Sequence, residues 1–264
     1  MLKINHIAKT FNRGLITEKT ALVDVQLHLH PGDFATVIGG NGAGKSTMLN
    51  AVAGVFGVDA GSIEIDGVDV THLPEYKRAR YLGRVFQDPM TGTAATMNIE
   101  ENMALAMRRG EVRGLRWGIS NMEREMYREQ LSRLGLGLED RMASKVGLLS
   151  GGQRQALTLL MATLRTPKLL LLDEHTAALD PKTAAKVLQL SDEIIKEQSL
   201  TALMITHNMG DAIEYGNRLI MMHEGRIVVD VAGEEKKKLT RADLLDLFEK
   251  AAGKTLDSDK LLLS

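Results

Sequence analysis

No cysteine occurs in the 264 residues, which excludes disulfides and thiolate-held zinc and fits a reducing compartment. An excess charge of either sign is also missing. Lys plus Arg number 33 and Asp plus Glu 34, a net charge of −1, so the balance makes no electrostatic case for nucleic acid. Long apolar runs are absent too. The richest, Leu157 to Leu172, is broken by Arg165, Pro167 and Lys168, short of the ~18 residues a membrane span needs. The N-terminus, MLKINHIAKT, lacks the apolar centre of a signal peptide. Action at a membrane would therefore be from one side and through a partner. The length is compatible with one large α/β domain or two small ones.

Glycine, by contrast, is concentrated where it carries chemistry. The stretch GGNGAGKST, Gly39 to Thr47, lies between an apolar strand, Phe34 to Ile38, and a helical pattern from Thr47 to Val55. That context is the one a phosphate-binding loop requires. Without Cβ atoms, Gly39, Gly42 and Gly44 let the amides of Asn41, Ala43 and their neighbours turn toward an anion at a helix N-terminus. Lys45 would reach the β- and γ-phosphates and the Ser46 hydroxyl would ligate Mg²⁺.

Upstream, Val23, Val25, Leu27 and Leu29 alternate with polar residues, the period of a half-buried strand. Phe11 is open to two readings, a platform for a nucleotide base or a strand-end core residue. Downstream, GSIEIDGVDV reads as a hairpin, and the strand Tyr81 to Phe86 stops at Gln87, Asp88 and Pro89. Gln87 could reach Mg²⁺ or a water near the phosphates, or be a solvated strand end.

From about Met90 to Arg165 the pattern is helical. Ile99, Met103 and Met107 recur at helical spacing, which favours a core-facing stripe, although thioethers also suit a groove for another protein's helix. Arg108 to Gly118 holds four arginines and the single tryptophan, read as a solvated basic loop or, through Trp117, a contact site for a partner or lipid headgroup. LSGGQRQ, Leu149 to Gln155, opens an apolar helix with Ser150 and Gln153 spaced as a capping box. Its free amides make a second candidate anion site. Two anion sites call for a common ligand.

In KLLLLDEH, Leu169 to Leu172 suits a central parallel strand, and Asp173 and Glu174 emerge at its carboxyl end, where open α/β sheets bind ligands. Asp173 could hold Mg²⁺, with Glu174 polarising a water for attack on phosphorus. Ala178 to Pro181 turn into the helix Lys182 to Lys196, and the strand Thr201 to Thr206 ends in His207. The Glu224 and Gly225 hairpin reads as surface punctuation, EEKKK at 234 to 238 as a solvated linker, and Thr240 as the cap of a last amphipathic helix stopped at Gly253.

Together these motifs resemble an ATP-binding cassette ATPase, the motor subunit of a membrane transporter, over about residues 2 to 232. Their order is Walker A at Gly39 to Thr47, the Q-loop at Gln87, the signature at Leu149 to Gln153, Walker B with Glu174, the D-loop at Ala178 to Asp180, and the switch histidine His207. The resemblance implies an α/β P-loop cassette with a parallel-sheet core, an antiparallel β-edge and a helical subdomain at about 90 to 165, followed by a linker and C-terminal helix at 233 to 264. It implies ATP and Mg²⁺ as cofactors, with Ser46, Gln87 and Asp173 at the metal. It also implies a head-to-tail dimer in which Walker A of one copy faces Ser150, Gly151, Gly152 and Gln153 of the other. Glu174 is then the general base, with His207, Lys45 and Gln87 assisting, and Phe11 resembles the base-stacking aromatic.

The expected partners are a permease seated near residues 87 to 107, where Met97 and Met103 would sense it, and a solute-binding protein. The place of work would be the cytoplasmic face of the cell membrane. DEHTAALD with the arginine-rich insert resembles a subgroup of bacterial importer ATPases whose permeases resemble those for branched-chain amino acids. An amino acid, aromatic ones such as tryptophan included, is the substrate class this suggests. An exporter motor, a soluble relative acting on DNA or ribosomes, and a non-catalytic nucleotide sensor are the alternatives. His175 departs from the proline usual after the catalytic glutamate and bears on the path into the D-loop.

Overall fold

The computed structural model describes residues 1–111 and 118–252. The chain opens with β1 (Leu2–Phe11), β2 (Lys19–Leu29) and β3 (Phe34–Ile38), then α1 (Lys45–Ala53), β4 (Ala60–Ile65), β5 (Val68–Asp69), α2 (Glu75–Arg78) and β6 (Leu82–Val85). The helices α3 (Ile99–Met107), α4 (Asn121–Ser132) and α5 (Gly151–Thr163) follow. The chain returns through β7 (Leu169–Asp173), α6 (Pro181–Glu197), β8 (Thr201–Ile205), α7 (Met209–Glu214), β9 (Arg218–His223) and β10 (Arg226–Ala232). It closes with α8 (Gly233–Lys237) and α9 (Arg241–Ala252).

Two sheets result. One is antiparallel in the order β2-β1-β4-β5, and the other runs β10-β9-β3-β8-β7-β6. In the second, β9, β3, β8, β7 and β6 are parallel and only β10 is antiparallel. The expected α/β architecture with an antiparallel β-edge and a helical lobe is therefore present. β7 shows why: Leu169 and Leu171 enter the core shared with α1 and the antiparallel sheet, while Leu170 and Leu172 enter the core under α6. A strand buried on both faces reads as an unbroken leucine run because each side chain gains about 1.5–3 kcal/mol from burial.

The helical lobe has its own core, in which Ile99, Met103, Tyr127, Leu131 and Leu157 meet. Met103 is fully buried, so the expectation that it senses a permease is corrected: it belongs to the core stripe, and a charge there would break packing. One further expectation changes. EEKKK is no solvated linker, because α8 forms there and Lys236 is 2% exposed, its Nζ donating to the carbonyls of Tyr215 and, at 2.9 Å, Gly216. Those carbonyls follow the C-terminus of α7, where a cation is favoured by the helix dipole. α9 then seats Leu244 and Phe248 against β9 and α7. Trp117, Arg113, Arg116 and Gly253 lie outside the described residues. No helix among the described residues is long and apolar enough to cross a membrane.

Candidate functional site

The phosphate loop is fixed from several sides. Gly39 has φ 147°, and a Cβ there would stand 2.2 Å from the Met222 carbonyl oxygen of β9. Gly44, at φ 100°, lies against the Ala21 carbonyl of β2, which a Cβ would approach to 2.7 Å. Only glycine fits such approaches. The Gly225 amide donates to the Ala43 carbonyl at 3.0 Å, and the Gly225 carbonyl accepts from Val23 at 2.9 Å. The Glu224 and Gly225 hairpin is thus a buttress of the loop, which corrects its reading as surface punctuation.

Lys45 is buried, and its Nζ donates to the carbonyls of Gly39 at 2.7 Å and Gly40 at 3.1 Å. At the far end of α1, the buried Arg78 guanidinium donates to the carbonyls of Ala51 and Val52 at 2.7 and 2.9 Å and of Thr71 and Leu73 at 2.9 and 2.8 Å. Its charge stands at the negative end of the helix whose positive end faces the loop. Burial lowers the Arg78 pKa without bringing it near neutrality.

Because β3, β8, β7 and β6 are parallel neighbours, their carboxyl ends share one edge. That edge carries the phosphate loop, His207, Asp173 with Glu174, and Gln87. Adjacent strands lie about 4.8 Å apart, so Asp173 starts roughly 10 Å from the loop's strand, within reach of a ligand bridging the two. Glu174 holds φ 46°, a left-handed backbone costing about 1–3 kcal/mol in a non-glycine residue and typical of functional positions. Its amide donates to the Ile205 carbonyl at 3.1 Å, and its Oε1 lies 2.6 Å from His207 Nε2. Glutamate and histidine are thus paired beside the loop.

Asp173 Oδ2 lies 3.4 Å from Arg84 Nη2, which also donates to Asn50 Oδ1 at 2.5 Å, while the guanidinium stacks on Phe86 at 4.5 Å. Arg84 was not among the expected site residues; an arginine inside an otherwise apolar parallel strand is the signal that could have found it. Gln87 is exposed at the end of this segment. The preceding carbonyl, of Phe86, accepts from the fully buried Gln155 of α5 at 3.1 Å, which ties the helical lobe to the site. Ser46 and Gln87 are both exposed and Asp173 is partly so. Together they offer hydroxyl, amide and carboxylate oxygens, a hard donor set that fits Mg²⁺ with phosphate oxygens completing the shell.

His175 is 2% exposed and its Nε2 lies 2.9 Å from Ser191 Oγ. That hydroxyl gives its proton to the Val187 carbonyl at 2.8 Å, so the imidazole must donate through Nε2–H. Burial lowers its pKa to about 4. The turn leaving Glu174 is anchored to α6 by this neutral ring.

The signature lies elsewhere. Ser150 Oγ accepts from the Gln153 amide, and Gln153 Oε1 from the Ser150 amide, both at 3.2 Å. The capping box is therefore real. Ser150 and Gly151 are exposed. A Cβ on Gly152 would meet Thr183 at 2.1 Å, and one on Gly151 would meet Leu179 at 3.4 Å, so this N-terminus is packed against the D-loop and the start of α6. Asp180 caps α6 by accepting from the Thr183 amide at 3.1 Å. Phe11 is half-buried and meets Phe56 edge-on at 5.1 Å, with Lys9 Nζ 5.5 Å from its ring centre.

Known proteins resemble this chain in sequence and in fold. The family model described as ABC transporter matches residues 22–177. A tyrosine transport ATP-binding protein of Clostridioides difficile is 42% identical over 251 residues, covering 95% of this chain and 100% of that protein. A methionine import ATP-binding protein of Bartonella henselae is 34% identical, and the match covers 86% of this chain and 64% of that longer protein. Among solved structures, a dimeric ATP-binding cassette in a post-hydrolysis state bound to ADP and Pi superposes with TM-score 0.74 at 29% identity, covering 88% of this chain and 98% of that one. An ATP-binding cassette in its ADP conformation gives TM-score 0.76 at 26% identity, covering 94% of this chain and 98% of that one.

Proposed function

The chain belongs to the ABC transporter family, and on that premise we propose that it is the ATP-hydrolysing motor of an importer for a small solute, with an aromatic amino acid as the substrate class. The observation that carries the catalytic part is the Glu174 and His207 pair, 2.6 Å apart at the carboxyl edge of the parallel sheet beside the phosphate loop. The tyrosine system of one relative supports the aromatic class, and the methionine systems of others support an amino acid as the solute.

In this reading the loop amides and Lys45 bind the β- and γ-phosphates, which requires Lys45 to exchange its loop carbonyls for phosphate oxygens. Glu174 accepts a proton from the attacking water, and His207, already bonded to it, orients both water and γ-phosphate. Ser46, Gln87 and Asp173 would hold Mg²⁺, which when bound would supply neutralisation of the phosphate charge. Ser150, Gly151, Gly152 and Gln153 complete the site from a second copy, head to tail. A permease engages the exposed surface that begins at Gln87 and Met90, and a solute-binding protein delivers the substrate. The chain works at the cytoplasmic face of the membrane, peripherally.

The test is affinity capture of the tagged chain from gently solubilised membranes, with the recovered chains identified. A multi-span permease encoded with a solute-binding protein that takes up tyrosine or tryptophan is the expected result. Recovery of ribosomes or DNA in place of a permease would overturn it.

A further inference from the structure

Lys19 opens β2 and pairs directly with Phe11 in the β1 and β2 register. Directly opposed residues project to the same face of a sheet, so the ammonium and the aromatic ring share one face. The Lys19 Nζ stands 3.6 Å from where a Cβ on Gly42 would lie, at the middle of the phosphate loop. Its approach is set by backbone. Two residues on, the Ala21 carbonyl is packed against Gly44, and the hydrogen bonds from Val23 through Gly225 to Ala43 lock β2 to the loop. Lys19 is exposed, and among the described residues no ion pair or hydrogen bond engages its Nζ. Lys45, in contrast, is buried and bonded within the loop.

An exposed ammonium that shares a sheet face with Phe11 and stands against Gly42 of the phosphate loop is placed for a ligand that is apolar at one end and anionic at the other. We propose that Lys19 is a second cation of the nucleotide site, contacting the part of the phosphate chain nearest the base. This rests on the reading of Gly39 to Thr47 as the nucleotide site. It assigns the β1 and β2 edge a share of the affinity that Phe11 alone would not supply, through a charge pair with phosphate that is partly open to solvent.

Titration of a fluorescent ADP and of unlabelled ATP in competition, at low and high salt, tests this with Lys19→Met, Lys19→Arg and Lys45→Ala. Lys19→Met is expected to raise Kd for both nucleotides about fivefold at low salt, as one partly exposed charge pair should. High salt should compress the difference, Lys19→Arg should bind as the parent does, and the melting temperature without nucleotide should not change. A Kd for Lys19→Met within about twofold of the parent, while Lys45→Ala loses binding, overturns this proposal and leaves the nucleotide site standing. Failure of the parent chain to bind either nucleotide overturns both.

Discussion

The two anion-seeking stretches of this chain, Gly39 to Thr47 and Ser150 to Gln153, are both helix N-termini, yet the fold completes them differently. Around the first, the functional groups have partners within the same chain. Lys45 is bonded to loop carbonyls, Glu174 to His207, and Asp173 to Arg84. The loop carries glycines at positive φ, which they adopt freely, and the non-glycine Glu174 holds a strained left-handed backbone. Around the second, Ser150 is satisfied by its own capping box and faces solvent, and no residue from Leu149 to Gln153 has positive φ. A strained, internally bonded site is built to do chemistry; an unstrained, exposed one is built to meet something. The difference supports a site divided between two copies.

The largest effect should come from the first region. Glu174→Gln removes the proposed general base while keeping an acceptor for His207, and should lower hydrolysis by about 10² to 10⁴ with nucleotide affinity retained. Steady-state turnover and an equilibrium titration, measured side by side, check this. Comparable turnover by the variant would move the base elsewhere.

Gly39→Ala tests whether strain is confined to that region. Its Cβ would lie 2.2 Å from the Met222 carbonyl, so combined backbone strain and overpacking should cost about 3 kcal/mol in chemical denaturation. A stable, nucleotide-binding Gly39→Ala would show that the loop has slack.

His175 gives the comparison a pH axis. Its pKa is about 4 in the folded chain against about 6.5 unfolded. The unfolded state therefore binds the extra proton first. Above pH 6.5 the ring is neutral in both states and costs nothing. As pH falls from 6.5 toward 4 stability drops, by about 3 kcal/mol in all, and the loss levels off below 4. Denaturation midpoints across that range should show this slope in the parent and lose it in His175→Gln.

The smallest effect on stability belongs to the signature. Ser150→Ala removes one cap hydrogen bond and should cost about 1 kcal/mol. Any hydrolysis defect larger than that figure explains must come from a ligand or partner met at this helix end.

The motif residues themselves were legible in the sequence because each sits at a strand end or helix start that glycine, proline or a capping residue marks. The doubly buried leucines of β7 and the alternation of β2 were legible for the same reason, as burial imposes its period on the chain. What the sequence hid depends on distant segments meeting. Gly225 buttresses Ala43 across 182 residues of chain, and Arg84 reaches Asp173 across 89. Neither has a local pattern. Lys236 was hidden differently: in a run of charges one lysine looks like the next, and only the carbonyls of Tyr215 and Gly216 single it out. Met103 reads as core or groove from spacing alone, and the packing of α3 against Tyr127 and Leu157 decides for core.

The claim that the two regions meet only between copies is tested most directly by mixing two inactive variants. Lys45→Ala disables the loop side and Gly151→Asp the signature side. In a mixed head-to-tail dimer one site carries both lesions and the other carries neither. The account predicts that ATP hydrolysis, absent from each variant alone, returns on mixing to about a quarter of the parent rate, since half the dimers are mixed and each has one intact site. If the mixture stays as inactive as its components while forming dimers, the two regions do not complete one another and the divided site is wrong.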